Sequence, residues 1–190
     1  YQIVVCHDAA YSEIAFGGYQ PASFLEAEGA KEVGVEFHSL SKTFNMTGWR
    51  IGFAVGHSEV ISGLGRVKTN VDSGIFQAIQ EAGTEALHHL DTPLPEIINI
   101  YERRRDVMIK GLQEMGLEVD RPKATFYLWI HVPRGYTSAQ FATLLIEQGG
   151  IVATPGNGFG EEGEGYIRMA LTVDEKRLKE AIERLKRIKF

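Results

Sequence analysis

Apolar and polar positions change rhythm several times along the chain, and each change predicts an element. The run at residues 2–6, "QIVVC", is short, continuous and β-branched, the pattern of a strand covered on both faces. Polar His7 and Asp8 follow at its C-terminal end. "VGVEFHSL" and "RIGFAVG" predict two further strands, separated by the segment that holds Lys42. From Ser58 to about His89 apolar residues recur at helical spacing, with Ile61, Leu64, Val67 and Val71 on one side. "DTPLPE", from Asp91 to Glu96, breaks that rhythm, and the domain boundary is placed there, giving 1–92 and 93–190.

Beyond the boundary, "IINIYERRRDVMIKGLQEMG" predicts a long amphipathic helix stopped by Gly116, with "ERRRD" on its solvated face. "EVDRPKATFYLWIHV" carries two strand-like pieces. "TSAQFATLLIEQGG" opens with Ser/Thr capping chemistry and closes on Gly-Gly, the signature of a second helix. "IVATP" and "GYIRMAL" read as strands around a glycine-rich loop, and "VDEKRLKEAIERLKRIKF" as a closing amphipathic helix. The order α-β-β-α-β-β-α predicts a small α+β domain beside the tail of a larger α/β domain.

Composition narrows the function. A net charge of −5 gives no basic stripe, so neither nucleic acid nor an anionic membrane is expected as a partner. No run approaches the ~18 apolar residues of a membrane helix. The single cysteine, Cys6, cannot close an intrachain disulfide, which fits a reducing cytoplasm, and it reads as a small buried hydrophobe. The histidines show no metal-ligand spacing, so no metal is expected; His88 and His89 read as a helix-end pair. The chain opens inside a strand and without methionine, and is expected to be a fragment lacking an N-terminal portion.

The chemistry-bearing stretch is "HSLSKTFNMTGWRIGFAVG". Ser39 stands three residues before Lys42, Ser41 directly before it, and Arg50 eight after it, followed by an aliphatic residue and glycine. This spacing resembles the lysine motif of the class I and II aminotransferases, fold-type I enzymes that use pyridoxal phosphate, and the likeness runs the whole chain. The resemblance implies an α/β fold: the C-terminal part of the large domain of a PLP-dependent (aspartate aminotransferase-like) transferase, followed by a small C-terminal α+β domain. It implies that the Lys42 amine bonds covalently to the cofactor aldehyde and then shuttles a proton. The Ser39 and Ser41 hydroxyls and the Arg50 guanidinium are then the donors for the cofactor phosphate.

The same resemblance gives roles to three other residues. In "CHDAAY", Asp8 matches the aspartate that faces the pyridine nitrogen, and Tyr11 the tyrosine that faces the phenolic oxygen. In "EGYIRMAL", Arg168 matches the arginine that holds the substrate α-carboxylate. "TPGNGFG" is similar to the loop bordering the substrate pocket; it imitates a dinucleotide fingerprint, but glutamates rather than a helix follow it. "KATFYLW" resembles a strand that carries an aromatic to the active-site edge, although Phe126 and Trp129 equally suit the core.

Within the family, "FHSLSKTFNMTGWRIGFAVG" and "RVKTNVDSGIFQAIQEAG" look most like the bacterial LL-diaminopimelate aminotransferases. That likeness implies transfer of an amino group from glutamate, giving 2-oxoglutarate, within lysine and amino-acid biosynthesis. It also implies a homodimer formed near "KTNVDSGIFQ". Alanine and aspartate aminotransferases share the same cofactor residues. A carbon–sulfur lyase on the same fold and an aminotransferase-like sensor domain of a transcriptional regulator are the rivals. Elements that relatives carry upstream of Tyr1 are missing, so this chain by itself is expected to bind cofactor weakly and catalyse little or nothing.

Overall fold

The computed structural model describes residues 3–190. The chain divides into two compact units, Tyr1–Ile98 and Asn99–Phe190.

In the first unit β1 (Val5–Asp8) pairs in parallel with β2 (Gly34–Ser39), which pairs antiparallel with β3 (Gly52–Gly56), in the order β1-β2-β3. The connection from β1 to β2 is built from turns and two 3-10 segments, Phe24–Glu26 and Ala30–Glu32. Ile14, Phe16, Ala30, Val35 and Leu40 form this unit's buried apolar centre. Burying each of the larger side chains contributes about 1.5–3 kcal/mol.

The strand expected at residues 2–6 is shifted and less covered. Gln2 lies outside the described residues, Ile3 and Val4 are exposed, and the strand alternates between half-buried and exposed positions. Among the described residues it lies at the edge of the sheet, paired with β2 alone. Cys6 is therefore exposed, not buried.

The helical rhythm after Ser58 resolves into α2 (Ser58–Val71) and α3 (Gln77–His88), after the short α1 (Leu40–Thr43). The interruption is local chemistry: the Asp72 carboxylate accepts both the Lys68 ammonium and the Gly74 N–H, an Asx-type turn that ends the helix. No residue of α2 is buried, and its apolar Val67 and Val71 face solvent. In α3, Gly83 lies against Ile51 and Leu40, so the helix sits close over the segment that carries Lys42.

The next helix, α4 (Pro93–Glu114), starts inside the stretch expected to break it. Prolines at 93 and 95 occupy its first turn, where backbone N–H groups lack intrahelical partners in any case. "ERRRD" is likewise not a purely solvated face. Arg105 is 3% exposed and bonds Glu102 at 3.0 Å, Asp106 at 2.7 Å and the Pro122 carbonyl at 3.1 Å.

The second unit holds an antiparallel sheet of order β4-β6-β5, formed by β4 (Tyr127–His131), β5 (Thr154–Pro155) and β6 (Tyr166–Ala170). Of the two strand-like pieces expected before His131 only the second forms a strand. The first contributes one isolated bridge, Val119 to Ile130, and the Arg121-Pro122 sequence cannot extend the ladder. Helix α5 (Ser138–Gly149) opens on a capping box between Thr137 and Gln140, and ends on Gly150 at φ 59°. Helix α6 (Glu175–Leu185) is capped by Asp174. Leu128, Ile130, Ile167, Phe141, Leu145, Leu171 and Leu185 have no measurable exposure and form the core. Among the described residues no helix is long and apolar enough to cross a membrane.

Candidate active site

The first cluster forms where the parallel pair β1-β2 ends. Asp8, the last residue of β1, stands beside Phe37 of β2, and the next amide, Ala9 N–H, donates to the Phe37 carbonyl at 2.9 Å. The carboxyl ends of parallel strands are where open α/β sheets place their ligands. Asp8 is exposed there, its carboxylate accepting the Ala10 N–H at 3.4 Å. Three residues on, the turn presents Tyr11, whose ring centroid is 5.7 Å from Lys42 Nζ.

Lys42 reaches that point because β2 runs directly into α1. Ser39 closes the strand opposite Gly52 of β3, and Leu40 N–H donates to the Ile51 carbonyl at 3.2 Å. Arg50, which precedes Ile51, is thereby tied to the Ser39–Lys42 segment through the backbone. Ser41 is buried, and its carbonyl accepts the Thr47 hydroxyl at 3.1 Å. Arg50 is exposed and adopts a left-handed backbone at φ 54°, with Nη1 donating to the Thr47 carbonyl at 3.0 Å. Asn45 adopts the same region at φ 55°. Each such residue costs about 1 kcal/mol, and strain of this kind clusters at functional sites.

Tyr11 and Lys42 therefore meet by direct contact. Ser39, Ser41 and Arg50 join them through the tied backbone, and Asp8 through sheet register. On the other face of β1-β2 lies a cluster that sequence reasoning missed. Glu36, 3% exposed, accepts His7 Nδ1–H at 2.8 Å, the Ser23 hydroxyl at 2.8 Å, Phe24 N–H at 2.6 Å and His38 Nε2–H at 3.2 Å. Burial opposes its charge, but these four donors outweigh burial and hold the carboxyl down to about 2. The only signal in the sequence was polar residues at alternate positions, 36 and 38, in an otherwise apolar strand.

The second cluster belongs to the other unit. Arg168 sits on the central strand β6, paired with Trp129 on one side and Thr154 on the other. Alternation along both strands sends Leu128, Ile130, Ile167 and Met169 into the core. It leaves Tyr127, Trp129, His131, Tyr166 and Arg168 half-buried on the opposite face. Arg168 Cζ is 4.2 Å from the Tyr127 ring centroid and 4.4 Å from that of Phe159. Trp129 stacks on Tyr166 at 5.3 Å and meets Phe159 edge-on at 5.7 Å. Phe126 is core, at 5% exposure, whereas Trp129 joins the arginine face. No carboxylate among the described residues lies within ion-pair distance of Arg168.

Comparison of the whole chain with known proteins points to one family. The profile described as "Aminotransferase class I and II" matches residues 1–185. The LL-diaminopimelate aminotransferase of Syntrophobacter fumaroxidans is 58% identical over 190 residues, covering 100% of this chain and 49% of the relative. That of Halothermothrix orenii is 59% identical over 192 residues, again covering 100% of this chain and 49% of the relative. Among solved structures, substrate-bound BacF from Bacillus subtilis superposes with a TM-score of 0.94 at 37% identity, covering 99% of this chain and 48% of that one. The chain spans about half the length of the curated relatives it matches. With a profile match across nearly all its residues and more than half its positions identical to these relatives, the chain belongs to the class I and II aminotransferases.

Proposed function

We propose that this chain carries the lysine-bearing part of an aminotransferase that works through pyridoxal phosphate. The observation that carries the reading is the meeting of Lys42 with Tyr11 at the carboxyl end of the strand that Asp8 closes. The donor set fits the cofactor. Lys42 supplies the amine for its aldehyde, and Asp8 a carboxylate for its ring nitrogen. Tyr11 supplies a hydroxyl for its phenolic oxygen, and Ser39, Ser41 and Arg50 supply donors for its phosphate. When bound, pyridoxal phosphate supplies an electron sink for the charge left at a substrate Cα. Lys42 takes and returns the proton at that carbon. Arg168, with no carboxylate partner among the described residues, holds the α-carboxylate of an amino or 2-oxo acid.

The names of the relatives support a finer reading, amino transfer that forms LL-diaminopimelate for lysine biosynthesis; glutamate as donor and 2-oxoglutarate as its product complete the proposal. The relatives' names favour this over the alanine- or aspartate-type activity. That this chain by itself catalyses little or nothing belongs to the same proposal, and the unburied apolar stripe of α2 supports it. Dimerisation near residues 68–77 and a cytoplasmic location belong to the same proposal; sedimentation checks the first.

A pyridoxal phosphate titration followed by visible absorbance, on the chain and on Lys42→Ala, tests the reading. A band that depends on Lys42 supports it; identical spectra contradict it. Product analysis separates transamination, which yields an oxo acid without free ammonia, from elimination, which releases ammonia with its oxo acid.

A further inference from the structure

The Arg168 guanidinium is flanked by two aromatic rings, and the two come from different places. Tyr127 belongs to the neighbouring strand of the same sheet, while Phe159 arrives from the loop between β5 and β6. Phe159 is 50% exposed, so its ring is held at the surface beside the guanidinium.

The loop that presents Phe159 is built to hold it. Ser138, with no measurable exposure, accepts the Gly165 N–H at 2.8 Å and the Tyr166 N–H at 3.2 Å through its hydroxyl oxygen. Its hydroxyl donates to the Gly163 carbonyl at 3.5 Å, and its own N–H donates to the Glu164 carboxylate at 2.8 Å. Gly156 and Gly163 abut backbone to backbone, so a Cβ at either would collide with the other's carbonyl. Both ends of the turn are thus anchored, and Phe159 lies against Arg168 with Trp129 at its edge.

Stacking on a ring occupies a face of the guanidinium and leaves its in-plane N–H donors at the edge. A long arginine side chain otherwise samples many rotamers, and binding would have to freeze them. We propose that Phe159 is a positioning residue that, with Tyr127, holds the Arg168 guanidinium with its donor edge open to the carboxylate of an amino or 2-oxo acid. This rests on the reading of Arg168 as the carboxylate-holding residue.

The test uses the isotope-labelled 190-residue chain, with 2-oxoglutarate as the probe. In the native chain the Arg168 side-chain NMR signals are displaced by the ring currents of Tyr127 and Phe159; Phe159→Leu removes much of that displacement while the thermal midpoint holds. The same substitution weakens 2-oxoglutarate binding about three- to fivefold, and Phe159→Tyr restores it. Unchanged affinity in Phe159→Leu, beside binding lost in Arg168→Lys, overturns the clamp alone. If the native chain binds no 2-oxoglutarate, or Arg168→Lys binds it equally well, the carboxylate reading fails and takes the clamp with it.

Discussion

His7 Nδ1 and Glu36 Oε1 lie 2.8 Å apart across a register pair of the parallel strands β1 and β2. An ionised carboxylate only accepts, so the imidazole nitrogen is the donor, and the bond fastens the strand ending in Asp8 to the strand leading into Lys42. Glu36 titrates near 2 in the folded chain, below its ordinary value of 4.5. Its stabilising contribution is therefore complete above about pH 4.5 and is lost as pH falls from there toward 2. Glu36→Gln should cost on the order of 2 kcal/mol near neutral pH and flatten this acid slope. Urea midpoints measured from pH 7 down to the acid limit read both effects.

Arg105 offers a larger effect. It is buried in α4 with two carboxylates and a backbone carbonyl around its guanidinium. Burial pushes the Asp106 carboxyl up, but hydrogen bonds from Arg105 and Arg121, aided by their charges, outweigh it and hold the carboxyl below its usual value. Arg105→Ala removes a donor from Glu102 and the Pro122 carbonyl, leaves Asp106 with Arg121, and opens a void. Chemical denaturation should show a loss of about 3 kcal/mol.

These two residues also mark what the sequence could and could not say. Lys42, Ser39, Ser41 and Arg50 stand out in the sequence because they share one short segment. The Glu36 cluster does not, because His7 is 29 positions from Glu36 and only strand pairing joins them. "ERRRD" reads as solvated by composition, and Arg105 is buried because Pro122, 17 positions on, folds back over it. Cys6 reads as buried by residue type, yet an edge strand leaves it exposed. The regular elements were more legible. The helices of the second unit follow apolar spacing and caps, which are local properties, while the breaks at Asp72 and Pro122 depend on single side chains.

Ser138→Ala should loosen the loop that carries Phe159 without unfolding the unit. Its hydroxyl is an acceptor for two backbone N–H groups, and their loss costs about 2 kcal/mol. Amide exchange should accelerate across residues 156–166 and remain unchanged in the middle of α6.

Thr125 is strained: it holds a left-handed backbone at φ 67°, disfavoured for a β-branched residue, and its buried hydroxyl has no hydrogen-bond partner among the described residues. Thr125→Gly relieves both faults, and the gain outweighs the added freedom of the unfolded chain. A net stabilisation of about 0.5–1 kcal/mol is expected from denaturant midpoints.

The central claim is that Lys42 is the residue that takes the cofactor. Incubating the chain with pyridoxal phosphate, reducing with borohydride and mapping the peptides by mass tests it most directly. The account predicts a pyridoxyl mass on the peptide that contains Lys42, absent from Lys42→Ala. Label spread over the exposed lysines, with none at Lys42, would contradict it.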